Sequence, residues 1–257
     1  MPRSSCVFRI AHRGASSEAP ENTLPAIRLA VDKYRVDMVE FDIRLSRDGT
    51  PVLIHDETLE RTTNGTGRVR DHDLPDLKRL RVINRAPAGG PPETTQPVPD
   101  VSIPTLEEVL REFPDTAFCI EIKEKEARAG EKVLEAIRKV PRSGPLVVGS
   151  FHFSPIQRVR KEKPESVETT LTRREVVRAW LLFRLGLKKF NSPARFASLP
   201  RRRNIFLLDD PAWIDFLHRS GVRVFYWTIN QPEEAEELVR RGADGIVSDV
   251  LFHPPVP

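Results

Sequence analysis

Two short stretches hold the residue types that could do chemistry. "AHRG" (11–14) ends an apolar run with a histidine and an arginine, and "VEFDIRLSRDGTPVLIHD" (39–56) carries carboxylates and a second histidine. Glu40, Asp42 and Arg44 alternate with Val39, Phe41, Ile43 and Leu45. A strand of period two sends those sets to opposite faces. A third stretch, "AFCIEIK" (117–123), repeats the pattern, with Cys119, Glu121 and Lys123 on one face and Phe118, Ile120 and Ile122 on the other. A buried carboxylate without partners is costly. Three converging ones, Glu40, Asp42 and Glu121, are tolerable around a cation, and all-oxygen donors suit Mg²⁺ or Ca²⁺ better than zinc. A salt-bridge network with Arg44 and Lys123 would account for the same residues, and residue types alone favour neither.

Histidine titrates near neutrality, so His12 and His55 can serve as a general acid–base pair, read here with His12 as base and His55 as acid. The guanidinium fork of Arg13 suits phosphate oxygens. Asp48-Gly49 is a type I′ turn signal. A two-residue loop there would fold His55 back opposite Asp42. Asn22 in "PENT" reads as a cap of the first helix, although it also lies in the loop over the site. Trp227 reads as a pocket wall, Ser150 and Phe151 as lining, and Cys119 as packing. His152, His218 and His253 have no evident partners, and His72 is unassigned.

The positioning elements follow from periodicity. Strand-like runs at 7–11, 37–45, 117–123, 145–151, 166–171, 204–209, 222–230 and 244–249 alternate with helical patterns. Repeated βα units imply a parallel sheet, and eight of them an α/β fold of the (β/α)8 TIM-barrel class, whose sites gather at the C-terminal ends of the strands. Residues 46–103 interrupt the alternation and read as a small insertion after strand 2, which includes the Pro/Gly-rich "RAPAGGPPETTQPVP" (85–99). The whole chain, 1–257, reads as one domain. Its end, "VLFHPPVP", leaves almost no eighth helix, which would expose the bottom edge of the barrel and could favour a homo-oligomer.

Among 257 residues, 41 basic and 37 acidic side chains give a net charge of +4. That mild balance suits a small anionic substrate, and no nucleic-acid-binding motif accompanies it. Two cysteines are too few for a disulfide framework and fit a reducing, cytoplasmic compartment. No apolar leader and no spanning segment is read. "AWLLFRLGL" (179–187) reads as helix five packed on the barrel; with its flanking arginines it is also the one candidate for peripheral membrane contact.

The stretches "AHRGASSEAPENTLPAI", "VEFDIRLSRDGTPVLIHDETLERTTNGTG", "IPTLEEVL", "CIEIK", "YWTIN" and "GADGIVSD" together resemble the glycerophosphodiester phosphodiesterase family over nearly the whole chain. The resemblance implies a TIM barrel with an insertion after strand 2. It also implies metal-assisted hydrolysis of glycerophosphodiesters to sn-glycerol 3-phosphate and an alcohol. Carried over, it makes His12 and His55 the catalytic pair and Glu40, Asp42 and Glu121 the ligands of a divalent cation. Arg13 and Lys123 would then meet the phosphate, and Trp227 the glycerol side. Ser248-Asp249 stands where the family often has Thr-Asp. The rival expectations are a lysophospholipase D working at a membrane surface and a barrel that binds phosphodiesters without catalysis.

Overall fold

In the computed structural model, which describes residues 7–83, 100–203 and 206–251, eight parallel strands curl into a nearly closed barrel. They are β1 (Phe8–His12), β2 (Met38–Leu45), β4 (Phe118–Ile122), β5 (Leu146–Gly149), β6 (Val167–Thr169), β7 (Phe196–Leu199), β10 (Arg223–Tyr226) and β11 (Gly245–Ser248). Their order is β6-β5-β4-β2-β1-β11-β10-β7. A single parallel bridge, Thr170 to Phe196, links the two ends. Helices α1 (Leu24–Arg28), α3 (Leu106–Glu112), α4 (Ala127–Lys139), α5 (Phe153–Glu162), α6 (Arg173–Arg184), α7 (Pro211–Arg219) and α8 (Pro232–Arg241) surround it. The period-two expectation holds. Phe41, Ile43, Phe118, Ile120 and Ile122 are buried in the layer that also takes Leu106, Val109, Val133 and Ile137 from the helices. Ile10, Met38, Cys119, Val147, Phe225 and Val247 form a separate apolar plug inside the barrel.

Two expectations about strands are corrected. The described part of the run "NIFLLD" (204–209), from Phe206 on, is not a barrel strand. Phe206–Leu207 pairs antiparallel with Arg202–Arg203 in a small hairpin of β8 and β9. The barrel position belongs to "FASL", β7, in register with β10 from Phe196↔Arg223 to Leu199↔Tyr226. Apolar content misled here, because a four-residue strand that ends at Pro200 carries little periodic signal while its neighbour is richer in Ile, Phe and Leu.

The second correction concerns the hairpin of β2 with β3 (Pro51–Leu53). Its pairs are Ile43↔Leu53, Arg44↔Val52 and Leu45↔Pro51, one residue away from a two-residue loop. Gly49 N–H donates to Ser46 O at 2.9 Å, Ser46 N–H donates to Thr50 O at 3.0 Å, and Gly49 sits at φ +82°. This is a three-residue loop ending in a left-handed bulge glycine. Ile54, not His55, therefore faces Asp42, and its N–H donates to Asp42 O at 3.1 Å. His55 reaches the site because the ladder stops at Leu53 and the chain turns inward, where Arg44 Nε donates to His55 O at 2.9 Å.

Val52 of β3 and, after it, Ile54, Leu59, Val69, Leu77 of the short α2 (Leu74–Arg79), Val82 and Ile103 bury against one another. The Pro/Gly-rich stretch 85–99 and His253 lie outside the described residues.

Gly49→Ala should lower stability by about 1 kcal/mol, because alanine resists the left-handed conformation. Urea unfolding measures it; an unchanged midpoint would contradict the bulge.

Candidate active site

The apolar plug ends abruptly. One inward position further along the strands, Ile10 gives way to His12, Met38 to Glu40 and then Asp42, Cys119 to Glu121 and then Lys123, Val147 to Gly149, Phe225 to Trp227, and Val247 to Asp249. The register sets His12 beside Glu40 and Asp42 beside Glu121. All eight residues expected from the sequence, His12, Arg13, Glu40, Asp42, His55, Glu121, Lys123 and Trp227, line one cavity of about 370 Å³, as do Ser150 and Phe151. Trp227 meets Phe151 edge-on, with ring centroids 5.8 Å apart.

Asp42 is the most enclosed group, 1% exposed. Lys123 Nζ lies 2.8 Å from its Oδ1 and Arg13 Nε 3.0 Å from its Oδ2. Asn22 Nδ2 donates to Oδ2 at 3.0 Å, while Asp42 N–H donates to Asn22 Oδ1 at 3.0 Å. Burial alone would raise the Asp42 pKa, but Lys123 and Arg13 outweigh it and hold the carboxyl far below its ordinary range. Asn22 is therefore no cap. Thr23 caps α1, accepting from Ala26 N–H at 3.4 Å, and Asn22 stands free at φ +58° to bracket Asp42. The salt-bridge alternative is half met: Lys123 pairs with Asp42, whereas Arg44 turns to Glu124 at 3.3 Å and Arg13 takes its place.

Arg13, itself at φ +57°, is braced from behind. Its Nη1 donates to Glu21 Oε1 at 2.9 Å, and Arg61 of the insertion grips the same carboxylate at 2.7 and 2.8 Å. Arg61 also bonds Asp56, which holds His55 Nδ1 at 2.6 Å. On the other side, His12 Nδ1 lies 2.6 Å from Asp249 Oδ1. Asp249 also accepts from Ser16 Oγ and Asn230 Nδ2, each at 2.9 Å, and against burial His12 above all, then Asn230 and Ser16, hold its carboxyl down to about 2. Burial would depress the His12 pKa, yet the bond to Asp249 and the charge of Glu40 raise it above the ordinary value. Burial lowers that of His55, with Arg13 adding to the effect and Asp42 opposing it.

Glu40 accepts from Arg13 N–H at 3.1 Å, and its Oε2 is 3.9 Å from His12 Nε2. Burial, then the charge of Asp42, pushes its carboxyl up to about 6. Burial pushes Glu121 up to about 8 against the pull of Lys123, and its buried Oε1 has no hydrogen-bond partner. Gly149 makes room for it, since a Cβ there would stand 2.7 Å from Glu121 Oε2. An orphaned oxygen and two carboxylates at odds with their charge fit a divalent cation between Glu40 and Glu121. Asp42 fits less well, because both its oxygens already meet cations. Among the described residues no three acidic, His or Cys side chains converge as a ready-made metal cluster.

Sequence reasoning missed Glu21, Asp56, Arg61 and Asn230 and left Asp249 without a role. Asp56 beside His55 and Asp249 at a strand end were legible as neighbours of known positions; Arg61 and Glu21 gave no local signal. His218 does have a partner, Asp244 at 2.7 Å. His72 Nε2 bonds Thr66 O at 3.1 Å, outside the cavity. His152 precedes α5 without a side-chain cap bond.

A barrel whose mouth pairs carboxylate-backed histidines with an arginine and a lysine is that of a phosphate-ester hydrolase. A model of the glycerophosphoryl diester phosphodiesterase family matches residues 12–251. The chain belongs to that family and is a phosphoric diester hydrolase. It is 31% identical to a glycerophosphodiester phosphodiesterase of Caldanaerobacter subterraneus subsp. tengcongensis (strain DSM 15242 / JCM 11007 / NBRC 100824 / MB4), with 93% of each chain covered. It is 29% identical to the mouse (Mus musculus) lysophospholipase D GDPD3, over 93% of this chain and 78% of that one. Among solved structures it resembles an Oleispira antarctica phosphodiesterase in complex with the product sn-glycerol-3-phosphate. There the TM-score is 0.72 at 27% identity, covering 94% of this chain and 92% of the other.

Asn22→Ala would strand the buried Asp42 N–H and leave Asp42 Oδ2 to Arg13 alone. About 2 kcal/mol of stability should be lost, read by urea unfolding; a loss within error would contradict the bracket.

Proposed function

We propose that the chain hydrolyses glycerophosphodiesters to sn-glycerol 3-phosphate and an alcohol, with His12 and His55 as the acid–base pair. One observation carries this reading: each histidine is tethered through Nδ1 to its own carboxylate, Asp249 or Asp56, in a cavity that both line with Arg13 and Lys123. Such tethers orient the ring and leave Nε2 for the proton in flight. One histidine takes the proton of the attacking oxygen, water or the neighbouring glycerol hydroxyl, and the other protonates the departing alcohol. Arg13 and Lys123 supply fixed positive charge where the transition state gains negative charge. Trp227 would border the glycerol moiety.

We assign Glu40 and Glu121 to a divalent cation, Mg²⁺ or Ca²⁺, and Asp42 to holding Lys123 and Arg13 beside it. Bound there, the cation would supply Lewis-acid polarisation of a non-bridging phosphate oxygen. Residues 1–257, insertion 46–103 included, act as one catalytic domain in this reading, and we place it in the cytoplasm, which the buried free thiol of Cys119 fits.

A second substrate class, lysophospholipids, is favoured by the far wall of the cavity, where Leu171, Val176, Val177, Trp180, Leu199 and Leu208 offer apolar surface for an acyl chain. Comparing turnover of lysophosphatidylcholine and glycerophosphocholine separates the two.

With glycerophosphocholine, His12→Ala and His55→Ala should each lower kcat by roughly 10²–10⁴-fold. A p-nitrophenyl glycerophosphate, whose leaving group departs without a proton, should restore only the variant lacking the acid. Losses below tenfold for both, or rescue of neither, would contradict the pair.

Ca²⁺ or Mg²⁺ should raise the melting temperature, by about 2.7 kcal/mol of added stability at a hundred times Kd. Glu121→Gln should abolish the shift; an equal shift in the variant would place the ion elsewhere.

A further inference from the structure

Helix α6 shows an apolar stripe that the barrel does not use. Its inner side packs through Ala179, which is fully buried, and through the partly buried Val176, Trp180, Leu182 and Phe183. Its outer side carries Val177, Leu181 and Leu185, exposed by 46%, 53% and 75%, and Leu187 beyond the helix is 43% exposed. Residues 177, 181 and 185 are spaced four apart and stack along one face of a helix. The stripe is continuous with the active-site cavity, since Val176, Val177 and Trp180 also line its apolar wall.

Charge tells what covers this face. Arg173, Arg174, Arg178, Arg184, Lys188 and Lys189 are exposed along the same segment. None of the six forms an ion pair among the described residues; Arg174 lies over the Phe153 ring and Arg184 over that of Trp180. The only carboxylate in residues 173–189, Glu175, turns inward to Arg160. An exposed leucine stripe set among unpaired arginines and lysines, with no outward acid, suits the acyl–headgroup boundary of an anionic bilayer. A nucleic acid would not use the leucines. Among the described residues no helix is long and apolar enough to cross a membrane, so the contact is superficial.

We infer that α6 and the turn after it dock the enzyme on anionic lipid surfaces, with the apolar wall of the cavity opening towards the bilayer. The face would then admit substrates that carry an acyl chain directly from the membrane. The inference rests on the hydrolase reading only for its use, because docking is measured without turnover.

The test is co-sedimentation of the intact chain with vesicles of equal parts phosphatidylglycerol and phosphatidylcholine, and with vesicles of phosphatidylcholine alone. The wild type should pellet with the anionic vesicles, less so as salt rises, and weakly with the zwitterionic ones. Leu181→Glu/Leu185→Glu should cut the bound fraction by about tenfold or more, and so should Arg178→Glu/Lys188→Glu. None of these four residues touches the cavity, so turnover of water-soluble glycerophosphocholine should be unchanged and report that both variants are folded. Loss of turnover with docking intact would strike at the hydrolase reading alone. Equal pelleting of wild type and variants, or no pelleting of the wild type, would overturn the inference. So would concentration-dependent self-association that the leucine variant abolishes, since the face would then belong to a second copy of the chain.

Discussion

Everything at the barrel mouth depends on keeping one carboxylate ionised inside the protein. Asp42 is almost completely enclosed, and an unpaired charge there would cost several kcal/mol. Lys123, Arg13 and Asn22 offset that cost, and each demands something of the chain. Lys123 must follow β4 in register with β2. Arg13 and Asn22 must both adopt left-handed backbone, which stores roughly 1 kcal/mol or more at each non-glycine position. Glu21 must anchor Arg13, and Arg61 must anchor Glu21. The insertion is thus more than the carrier of His55. Through Arg61 it holds both the arginine beside Asp42 and the aspartate behind His55.

The same chain of contacts separates two kinds of carboxylate. Asp42, Asp56, Asp249 and Glu21 each face a cation or a histidine, and all are held below their ordinary range. Glu40 and Glu121 are pushed the other way, and Glu121 has an oxygen that bonds to nothing. Satisfied groups position; dissatisfied groups are where a ligand of positive charge belongs. Opposite them the cavity wall turns apolar towards α6, so one cavity offers a phosphate end and a hydrocarbon end.

Much of this was legible in the sequence, for a simple reason. Strand periodicity is local, so Glu40, Asp42 and Glu121 could be assigned to the barrel interior and Phe41, Ile43 and Ile120 to the helix layer without coordinates. Register and distant pairing are not local. The hairpin differed by one residue because Gly49 forms a bulge where a two-residue turn was expected. β7 was misplaced because four residues carry too little pattern. Arg61 and Glu21 are 40 residues apart and announce nothing until the fold joins them. Helix α6 was read first as packing and only second as a membrane contact, because an amphipathic pattern does not reveal whether a second apolar stripe stays exposed.

The central claim is that chemistry takes place at the Asp42-braced mouth of this barrel. A crystal structure of the chain grown with Ca²⁺ and sn-glycerol 3-phosphate tests it most directly. The account predicts the phosphate among His12, His55, Arg13 and Lys123, with the ion on Glu40 and Glu121. Product bound away from both histidines, or an ion held by other residues, would contradict it.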